Sequence, residues 1–259
     1  MRFTVLTLFP EIITAYFSAS IMAKAVKRGI ISYNVINIRD FALDKHKTCD
    51  DATYGGGAGM LLLPRPLSLA LEYAGVKKRE AREAAPPEAA PCERKVVYLS
   101  PSGVSFDQKK AAQYALCAEL VLICGRYEGI DARIIESYVD EELSIGDYVL
   151  SSGELAALAV IDAAHRLVDG VISGESLEEE SFTDGLLEYP QWTRPEVFDS
   201  MVVPEVLLSG HHERIRRWRL ERRVEKTLRN RPDMLDKGIK NGVFNEETLK
   251  IIGELRSRQ

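Results

Sequence analysis

Along the first two thirds of this 259-residue chain, segments with short apolar runs alternate with segments whose apolar residues recur at helical spacing. Short apolar runs predict strands at residues 2–9, 30–38, 96–100, 120–124 and 143–150. Between them, apolar residues at helical spacing predict helices at 11–28, 66–74, 108–118, 131–138 and 153–167. Such alternation predicts an α/β fold, in which a mostly parallel sheet carries helices on both faces.

Other segments depart from this alternation. Residues 40–59 are polar and glycine-rich without periodicity, and so long a loop in a compact domain is more often functional than idle. Residues 77–95 are charged and rich in Ala and Pro, which predicts a solvated, flexible insertion. After an acidic stretch, apolar residues among arginines predict a helical tail. The chain is therefore expected to form a domain over 1–168, a linker over 169–194 and a small helical domain over 195–259.

Three glycine-rich turns adjoin the predicted strands: residues 98–103 (YLSPSG), 125–131 (GRYEGID) and 144–155 (SIGDYVLSSGEL). Glycine lets backbone N–H and C=O groups come close to a ligand. One such turn would be weak evidence, but three predict one shared ligand pocket. No GxGxxG motif follows the first strand, which weakens a dinucleotide-binding interpretation.

Charge is unevenly distributed along a chain whose net charge is −5. Residues 211–231 contain nine Lys/Arg against three Glu, a local excess of six, whereas residues 171–190 contain six acidic residues and no Lys/Arg. A local basic face binds phosphates even when the whole chain is acidic. The alternative is an ordinary solvated helix face. The candidate phosphate contacts are Arg214, Arg216, Arg217, Arg219, Arg222, Arg223 and Lys226.

Several classes of protein are disfavoured by the sequence. No apolar run approaches the roughly 20 residues of a membrane helix, and the N-terminus predicts a strand rather than a signal peptide. Cys49, Cys92, Cys117 and Cys124 form no CxxC pair, and Cys117 and Cys124 are predicted to be buried thiols in a reducing cytoplasm. The adjacent His211 and His212 lack partners at zinc-ligand spacing.

Several longer motifs occur in a fixed order: YGGGAGM at 54–60, the turns at 125 and 144, LLEYPQWTRP at 186–195 and LLSGH at 207–211. In this order they resemble the bacterial tRNA (guanine-37-N1) methyltransferases of the knotted SPOUT class, over residues 1 to about 235. The resemblance implies a trefoil knot over about 98–166, which periodicity alone would not predict. It also implies a cytoplasmic homodimer with its active site between subunits. The implied reaction is methyl transfer from S-adenosylmethionine to N1 of guanine 37 in tRNA, not DNA, with a magnesium requirement for which the sequence indicates no site.

The resemblance also assigns the cofactor contacts. Glu128 is expected to meet the positive amine or sulfonium of S-adenosylmethionine. For Tyr148, Val149 and Leu150 the alternative is a plain core strand. The full set expected around the cofactor is Tyr98, Leu99, Ser100, Gly125, Glu128, Gly129, Ile145, Gly146, Asp147, Tyr148, Val149 and Leu150.

The chemistry of the implied reaction requires two further groups. Guanine N1 carries a proton at neutral pH, so a general base must remove it. Negative charge then spreads to O6, where a cation stabilises the transition state. By resemblance the base is Glu180, the acidic residue before Ser181, although the family usually has Asp there, and Asp184 is the alternative. Arg166 is the expected O6 stabiliser, the alternative being a cation at a helix end.

The tRNA contacts are expected in both domains. By resemblance the loop around Tyr54, Gly55, Gly56, Gly57 and Gly59, flanked by Asp50, receives the target guanine. In the tail, Arg214, Arg217 and Arg219 are expected to contact phosphates. Two rival functions remain at this point: a knotted ribose 2′-hydroxyl methyltransferase, which needs no N1 base, and a non-catalytic RNA-binding module.

Overall fold

The computed structural model describes residues 1–83, 92–174 and 180–258. The chain divides into two compact units, Met1–Ile172 and Ser173–Gln259. The division falls inside the acidic segment 169–194, whose role as a linker stays a prediction. Glu175, Glu178 and Glu179 of that segment, and residues 84–91 of the predicted insertion, lie outside the described residues.

The first unit is built on a five-stranded parallel sheet. Its strands are β1 (Arg2–Thr7), β2 (Ser32–Asn37), β5 (Arg94–Ser105), β6 (Glu119–Cys124) and β7 (Glu141–Ser144), in the order β2-β1-β6-β5-β7. Every neighbouring pair is parallel. Strands β3 (Asp50–Ala52) and β4 (Met60–Leu62) form a separate antiparallel hairpin. The predicted α/β class with a mostly parallel sheet is confirmed.

Helices cover both faces of this sheet. Phe3 and Val5 of β1 point to a core shared with α1 (Pro10–Phe17), α2 (Ser20–Lys27), α5 (Gln108–Ala115) and α7 (Glu154–His165). Leu6, one residue along, points to a second core shared with α3 (Pro64–Tyr73) and α6 (Ala132–Tyr138). This alternation follows from the two-residue period of a strand. Because β5, β6 and β7 run in parallel, their carboxyl ends lie at one edge of the sheet.

Some element boundaries differ from the prediction. The helix predicted over 11–28 is broken between α1 and α2, where the Ser18 hydroxyl donates to the Ala15 carbonyl and Ser20 has φ +50°. Short serine side chains compete for backbone groups and favour such breaks. The loop predicted over 40–59 includes a short 3-10 helix, Ile38–Phe41, at its start and strand β3. These local interruptions leave no trace in the apolar periodicity.

Part of the predicted flexible insertion is ordered. Helix α4 (Arg79–Glu83) is fixed by Arg82, whose guanidinium lies 2.7 Å from Asp140 Oδ1 and also donates to the Tyr138 carbonyl. Both charged side chains are largely buried. The expectation of a solvated, flexible segment was therefore wrong for α4, because its partner lies at the end of α6, far away in sequence.

The prediction for Cys117 was also wrong in one respect. Cys117 is buried, but it forms a disulfide with Cys92 instead of a free thiol. Cys92 and Cys117 precede the neighbouring parallel strands β5 and β6, and the Ala118 N–H donates to the Cys92 carbonyl at 2.9 Å. Strand pairing, which sequence spacing does not reveal, brings the two sulfurs together. Cys49 and Cys124 are buried free thiols.

Within residues 180–258, the first regular element is a hairpin, β8 (Val197–Phe198) and β9 (Met201–Val202), where the sequence predicted the start of a helical tail. Four helices follow among the described residues: α8 (Glu205–Leu208), α9 (His212–Asn230), α10 (Pro232–Lys240) and α11 (Glu246–Arg256). Their core contains Leu186, Val224, Leu235, Ile251 and Ile252. No helix in the described ranges is long and apolar enough to cross a membrane.

Candidate active site

The three glycine-rich turns meet at the carboxyl edge of the sheet around one pocket of about 300 Å³. They extend from β5, β6 and β7, and this edge is where open parallel sheets generally bind ligands. Every residue predicted to surround the cofactor lines the pocket except Asp147. The other lining residues belong to the same segments or directly adjoin them: Pro101, Ser102, Arg126, Tyr127, Leu143, Ser144, Ser151, Ser152, Gly153 and Ala156.

Two hydrogen bonds to backbone carbonyls hold two of these turns together. The Gly153 N–H donates to the Gly125 carbonyl at 2.9 Å, and the Arg126 guanidinium donates to the Ser151 carbonyl at 3.0 Å. A Cβ on Gly153 would lie 2.7 Å from the Gly125 nitrogen. The contact therefore requires glycine at position 153, which explains why the turn before α7 carries one.

The pocket has a buried aromatic floor and an exposed rim. Tyr98 is 6% exposed, and burial, followed by the Glu142 carboxylate, raises the pKa of its hydroxyl. Tyr148 and Val149 are 53% and 84% exposed. Strand β7 ends at Ser144, before Gly146 with φ +151°. The strand predicted over 143–150 is therefore wrong beyond Ser144, and so is the alternative that Tyr148, Val149 and Leu150 belong to a core strand.

The glycine loop at 54–60 is attached directly to this pocket. The Glu128 N–H donates to the Met60 carbonyl at 2.9 Å, and the Leu62 N–H donates to the Gly129 carbonyl at 3.1 Å. Gly59 packs so closely that a Cβ there would lie 2.5 Å from Glu128 Oε1. The loop itself is open to solvent, with Tyr54 fully exposed and Asp50 half-buried at its start. A second ligand on the loop would thus lie near the rim of the pocket.

The loop's backbone has the conformation that its glycines allow. Gly55, Gly56, Gly57 and Gly59 all have positive φ, between +78° and +118°. L side chains rarely adopt this region. The glycine-rich composition of the loop is therefore needed for its shape, apart from any role in substrate contact.

Arg166 lies at the other end of helix α7. That helix begins at Glu154, beside the pocket, and Arg166 is its half-buried C-cap residue. The buried His165 precedes it, with Nδ1 3.0 Å from the Ile161 carbonyl. Arg166 does not line the pocket, and its position as a C-cap fits the stabilisation of a helix end, so its catalytic role stays a prediction.

The two candidate bases have different environments. Asp184 accepts hydrogen bonds from both terminal nitrogens of Arg223, at 2.8 and 2.5 Å, and Arg223 is only 5% exposed. Glu180 is half-buried, and its backbone carbonyl accepts from the Thr183 N–H at 3.4 Å. Asp184 thus has a defined structural partner, one which sequence reasoning had placed on a phosphate-binding face.

Several arginines of the basic helix α9 are paired with glutamates, so fewer of its positive charges are available to phosphates. Arg216 contacts Glu213 and Glu247, Arg217 contacts Glu221, and Arg222 contacts Glu225. Of the expected phosphate contacts, Arg214 and Arg217 are exposed, whereas the half-buried Arg219 lies 4.7 Å over the Tyr189 ring. Arg223 is buried, so its assignment to an exposed face was wrong.

No group of three or more potential metal ligands lies together within residues 1–83, 92–174 and 180–258. The described carboxylates therefore define no site for the magnesium that the resemblance implies.

The fold and pocket together define a class: an α/β protein with a candidate small-molecule pocket between glycine turns at the carboxyl edge of a parallel sheet. Comparison with known proteins narrows this class. Residues 1–237 match the family model described as tRNA (Guanine-1)-methyltransferase TrmD. The chain belongs to this family, and the resemblance inferred from the motifs is confirmed.

Curated relatives agree over nearly the whole chain. A tRNA (guanine-N(1)-)-methyltransferase of Treponema denticola is 58% identical, covering 99% of this chain and 100% of its own. The protein of the same name from Treponema pallidum is 54% identical, over 98% and 96% of the two chains. One from Borrelia hermsii is 55% identical, over 90% and 92%. The chain is therefore similar to these methyltransferases in both of its units.

Proposed function

We propose that this protein transfers a methyl group from S-adenosylmethionine to N1 of guanine 37 in tRNA. Methylation of guanine N1 in tRNA is the activity that the family name gives. The observation that carries the proposal is the pocket formed by three glycine turns, with an exposed glycine loop hydrogen-bonded to its rim. A cofactor in the pocket and a base on the loop would then be neighbours.

The residues of the pocket fit S-adenosylmethionine. Its volume of about 300 Å³ lies at the lower end of small-molecule sites. The turns offer backbone groups for the adenine and ribose, Tyr148 and Val149 offer apolar surface at the rim, and Glu128 offers a carboxylate for the positive amine or sulfonium. When bound, the cofactor supplies an activated methyl group on its sulfonium. The chain's own residues must therefore prepare the nucleophile.

Glu180 is the proposed general base. A base must remove the N1 proton before the nitrogen has a lone pair for attack. The Glu180 position before Ser181 matches the family's acidic residue, and the alternative, Asp184, is held by the buried Arg223. Both oxygens of the Asp184 carboxylate are engaged by the Arg223 guanidinium, which favours a structural role for Asp184. The assignment of Glu180 therefore rests on its family position.

Arg166 is the proposed stabiliser of negative charge on O6. A guanidinium keeps its charge at all physiological pH values and donates in a fixed plane, which suits an oxygen that gains charge as N1 loses its proton. Placed at the end of a helix whose start contacts the pocket, it is held by a rigid element instead of a loop.

For the substrate, we propose that the loop around Tyr54, Gly55, Gly56, Gly57 and Gly59, with Asp50, receives the target guanine. Arg214, Arg217 and Arg219 would contact tRNA phosphates. We further propose the family's trefoil knot, its homodimer with an active site between subunits, and a cytoplasmic location. Magnesium is part of the family expectation, but the described residues give no defined site, so no step is assigned to it.

Transfer of labelled methyl to purified tRNA tests the proposal when the modified atom is mapped. Label on N1 of guanine 37 is expected with the parent protein, and a transcript carrying adenine at position 37 should take up none. Label on a ribose 2′-oxygen would indicate the rival knotted enzyme. Binding of tRNA without any transfer, in protein that also fails to bind S-adenosylmethionine, would indicate an RNA-binding module and refute the proposal.

A further inference from the structure

Thr7 and Glu154 form a hydrogen bond in the interior of the first unit, at a place that no proposed catalytic step uses. Thr7 ends strand β1 and Glu154 is the first residue of helix α7; they are 0% and 1% exposed. The Thr7 hydroxyl donates to Glu154 Oε1 at 2.5 Å and accepts from the Phe9 N–H at 2.8 Å. Glu154 Oε2 is buried and has no hydrogen-bond partner among the described residues.

A buried carboxylate with one unsatisfied oxygen lowers the stability of the fold, and the start of a helix does not require one. Burial of an ionisable group without full hydrogen bonding is unfavourable. Exposed acidic residues serve equally well in the first turn of a helix. A requirement other than stability would explain why a glutamate occupies this position.

The location of the pair suggests that requirement. Glu154 follows Gly153, the residue that packs on Gly125 to join two turns of the pocket. Gly153 also packs on Cys124, the residue before Gly125, since a Cβ at position 153 would lie 2.8 Å from the Cys124 Cα. The Thr7–Glu154 bond therefore lies directly behind the contact between Gly125 and Gly153.

We propose that Thr7 and Glu154 are positioning residues for the cofactor pocket. Their hydrogen bond ties the start of α7 to the end of β1, so that the turn at 151–153 stays against the turn at 125–129 before any ligand arrives. A preformed pocket binds more tightly, because the ligand does not have to order it. This inference rests on the proposed use of S-adenosylmethionine.

The chain offers a matched control on the same strand. Thr4 is also 0% exposed, and its hydroxyl donates to the buried Glu119 at 2.6 Å. Neither Thr4 nor Glu119 lines the cofactor pocket. Thr7→Val and Thr4→Val thus each break a buried threonine–glutamate bond in β1, but only the first bond lies behind the pocket.

Calorimetry of S-adenosylmethionine binding, together with thermal melts, tests the proposal. Thr7→Val should raise Kd about tenfold, and Thr7→Ser, which keeps the hydroxyl, should restore it to within about threefold. Thr4→Val should lower the melting temperature to a similar extent while leaving Kd within about twofold. A purely structural role predicts lower melting temperatures for both valine variants and an unchanged Kd for both.

Parental affinity in Thr7→Val, or an equal loss of affinity in Thr4→Val, would overturn this inference and leave the proposed cofactor standing. Absence of binding by the parent protein would overturn the proposed cofactor as well. If Thr7→Val does not fold, hydrogen exchange of the unmodified protein decides. S-adenosylmethionine should slow exchange of the Phe9 amide, which does not line the pocket, and should leave the peptide around Glu119 unchanged. Unchanged exchange at Phe9 would refute the proposal.

Discussion

Replacing Asp184 by Asn should separate a structural carboxylate from a catalytic one. The Asp184 carboxylate accepts both terminal nitrogens of Arg223 and, at 3.3 Å, the Leu186 N–H. Arg223 also donates to the Leu187 carbonyl at 3.3 Å. Asparagine keeps the shape of the side chain but removes its charge, and its amide nitrogen cannot accept from the guanidinium. The buried Arg223 would then lack a counter-ion.

The exposure of the two side chains sets the magnitude. Breaking a fully buried ion pair by removing one partner costs about 3–5 kcal/mol. The side chain of Arg223 is only 7% exposed but that of Asp184 is 47% exposed, so water screens part of the interaction. We therefore expect Asp184→Asn to reduce the stability of the second unit by about 2–3 kcal/mol. Arg223→Met should reduce it less, by about 1–2 kcal/mol, because water can solvate the Asp184 that remains.

Glu180→Gln is the matched comparison for the reaction itself. It should slow single-turnover methyl transfer by about 10²- to 10⁴-fold, the usual contribution of a positioned base, and leave the unfolding midpoint near that of the parent. Asp184→Asn should do the opposite: it should lower the midpoint and, at a temperature well below it, retain most of the rate. Urea unfolding and rapid-quench methylation of tRNA measure both quantities on the same preparations.

One pattern of results would refute this reasoning. If Asp184→Asn unfolds like the parent but loses at least about 100-fold in rate, while Glu180→Gln reacts normally, the base is Asp184. The contact with Arg223 would then have to orient a catalytic group, not stabilise the second unit.

Three further predictions concern the pocket and the substrate. Arg166→Ala should slow the chemical step about 10²- to 10³-fold if it stabilises O6, whereas a simple helix-end cation would cost about 0.3–1 kcal/mol of stability and little rate; single-turnover rates beside thermal melts distinguish the two. Gly153→Ala should abolish S-adenosylmethionine binding in calorimetry, since its Cβ would lie 2.7 Å from the Gly125 nitrogen, while Gly253→Ala, which has nothing within 4 Å, should bind normally. Reversing both Arg214 and Arg217 to Glu should reduce the slope of log K against log salt for tRNA binding by about two; filter binding with an unchanged slope would remove α9 from the RNA-binding surface.

Sequence patterns predicted the sheet and the pocket because both depend on local features. Strand β6 is a short apolar run, and the turns at 125 and 144 start where β6 and β7 end. The turn at 98–103 lies within β5, where its pairing with β7 is irregular between Leu99 and Val104. Since parallel strands end at a common edge, turns that follow them must converge. The same logic failed at Tyr148 and Val149. An apolar run there predicts a strand, whereas the chain leaves the sheet at Ser144 and presents these side chains at the pocket rim.

What could not be predicted depends on partners that are distant in sequence. The Cys92–Cys117 disulfide follows from the pairing of β5 with β6. The order in α4 follows from Arg82 meeting Asp140. The Thr7–Glu154 bond joins residues 147 positions apart, and nothing in the turn at 144–155 marks its Glu154 as the partner of Thr7. Polar side chains buried by long-range contacts are the features that local patterns describe least well.

The basic tail illustrates how this limitation affects a functional interpretation. Within residues 211–231 the sequence gives nine Lys/Arg against three Glu, an excess of six. Three more carboxylates outside this range, Asp184, Asp233 and Glu247, contact Arg223, Arg231 and Arg216 and reduce the excess to three. A phosphate-binding surface is defined by the charges that remain exposed, not by the count along the chain. The case for tRNA contact by α9 therefore depends on exposed arginines such as Arg214 and Arg217, and these are the side chains whose reversal should change the salt dependence.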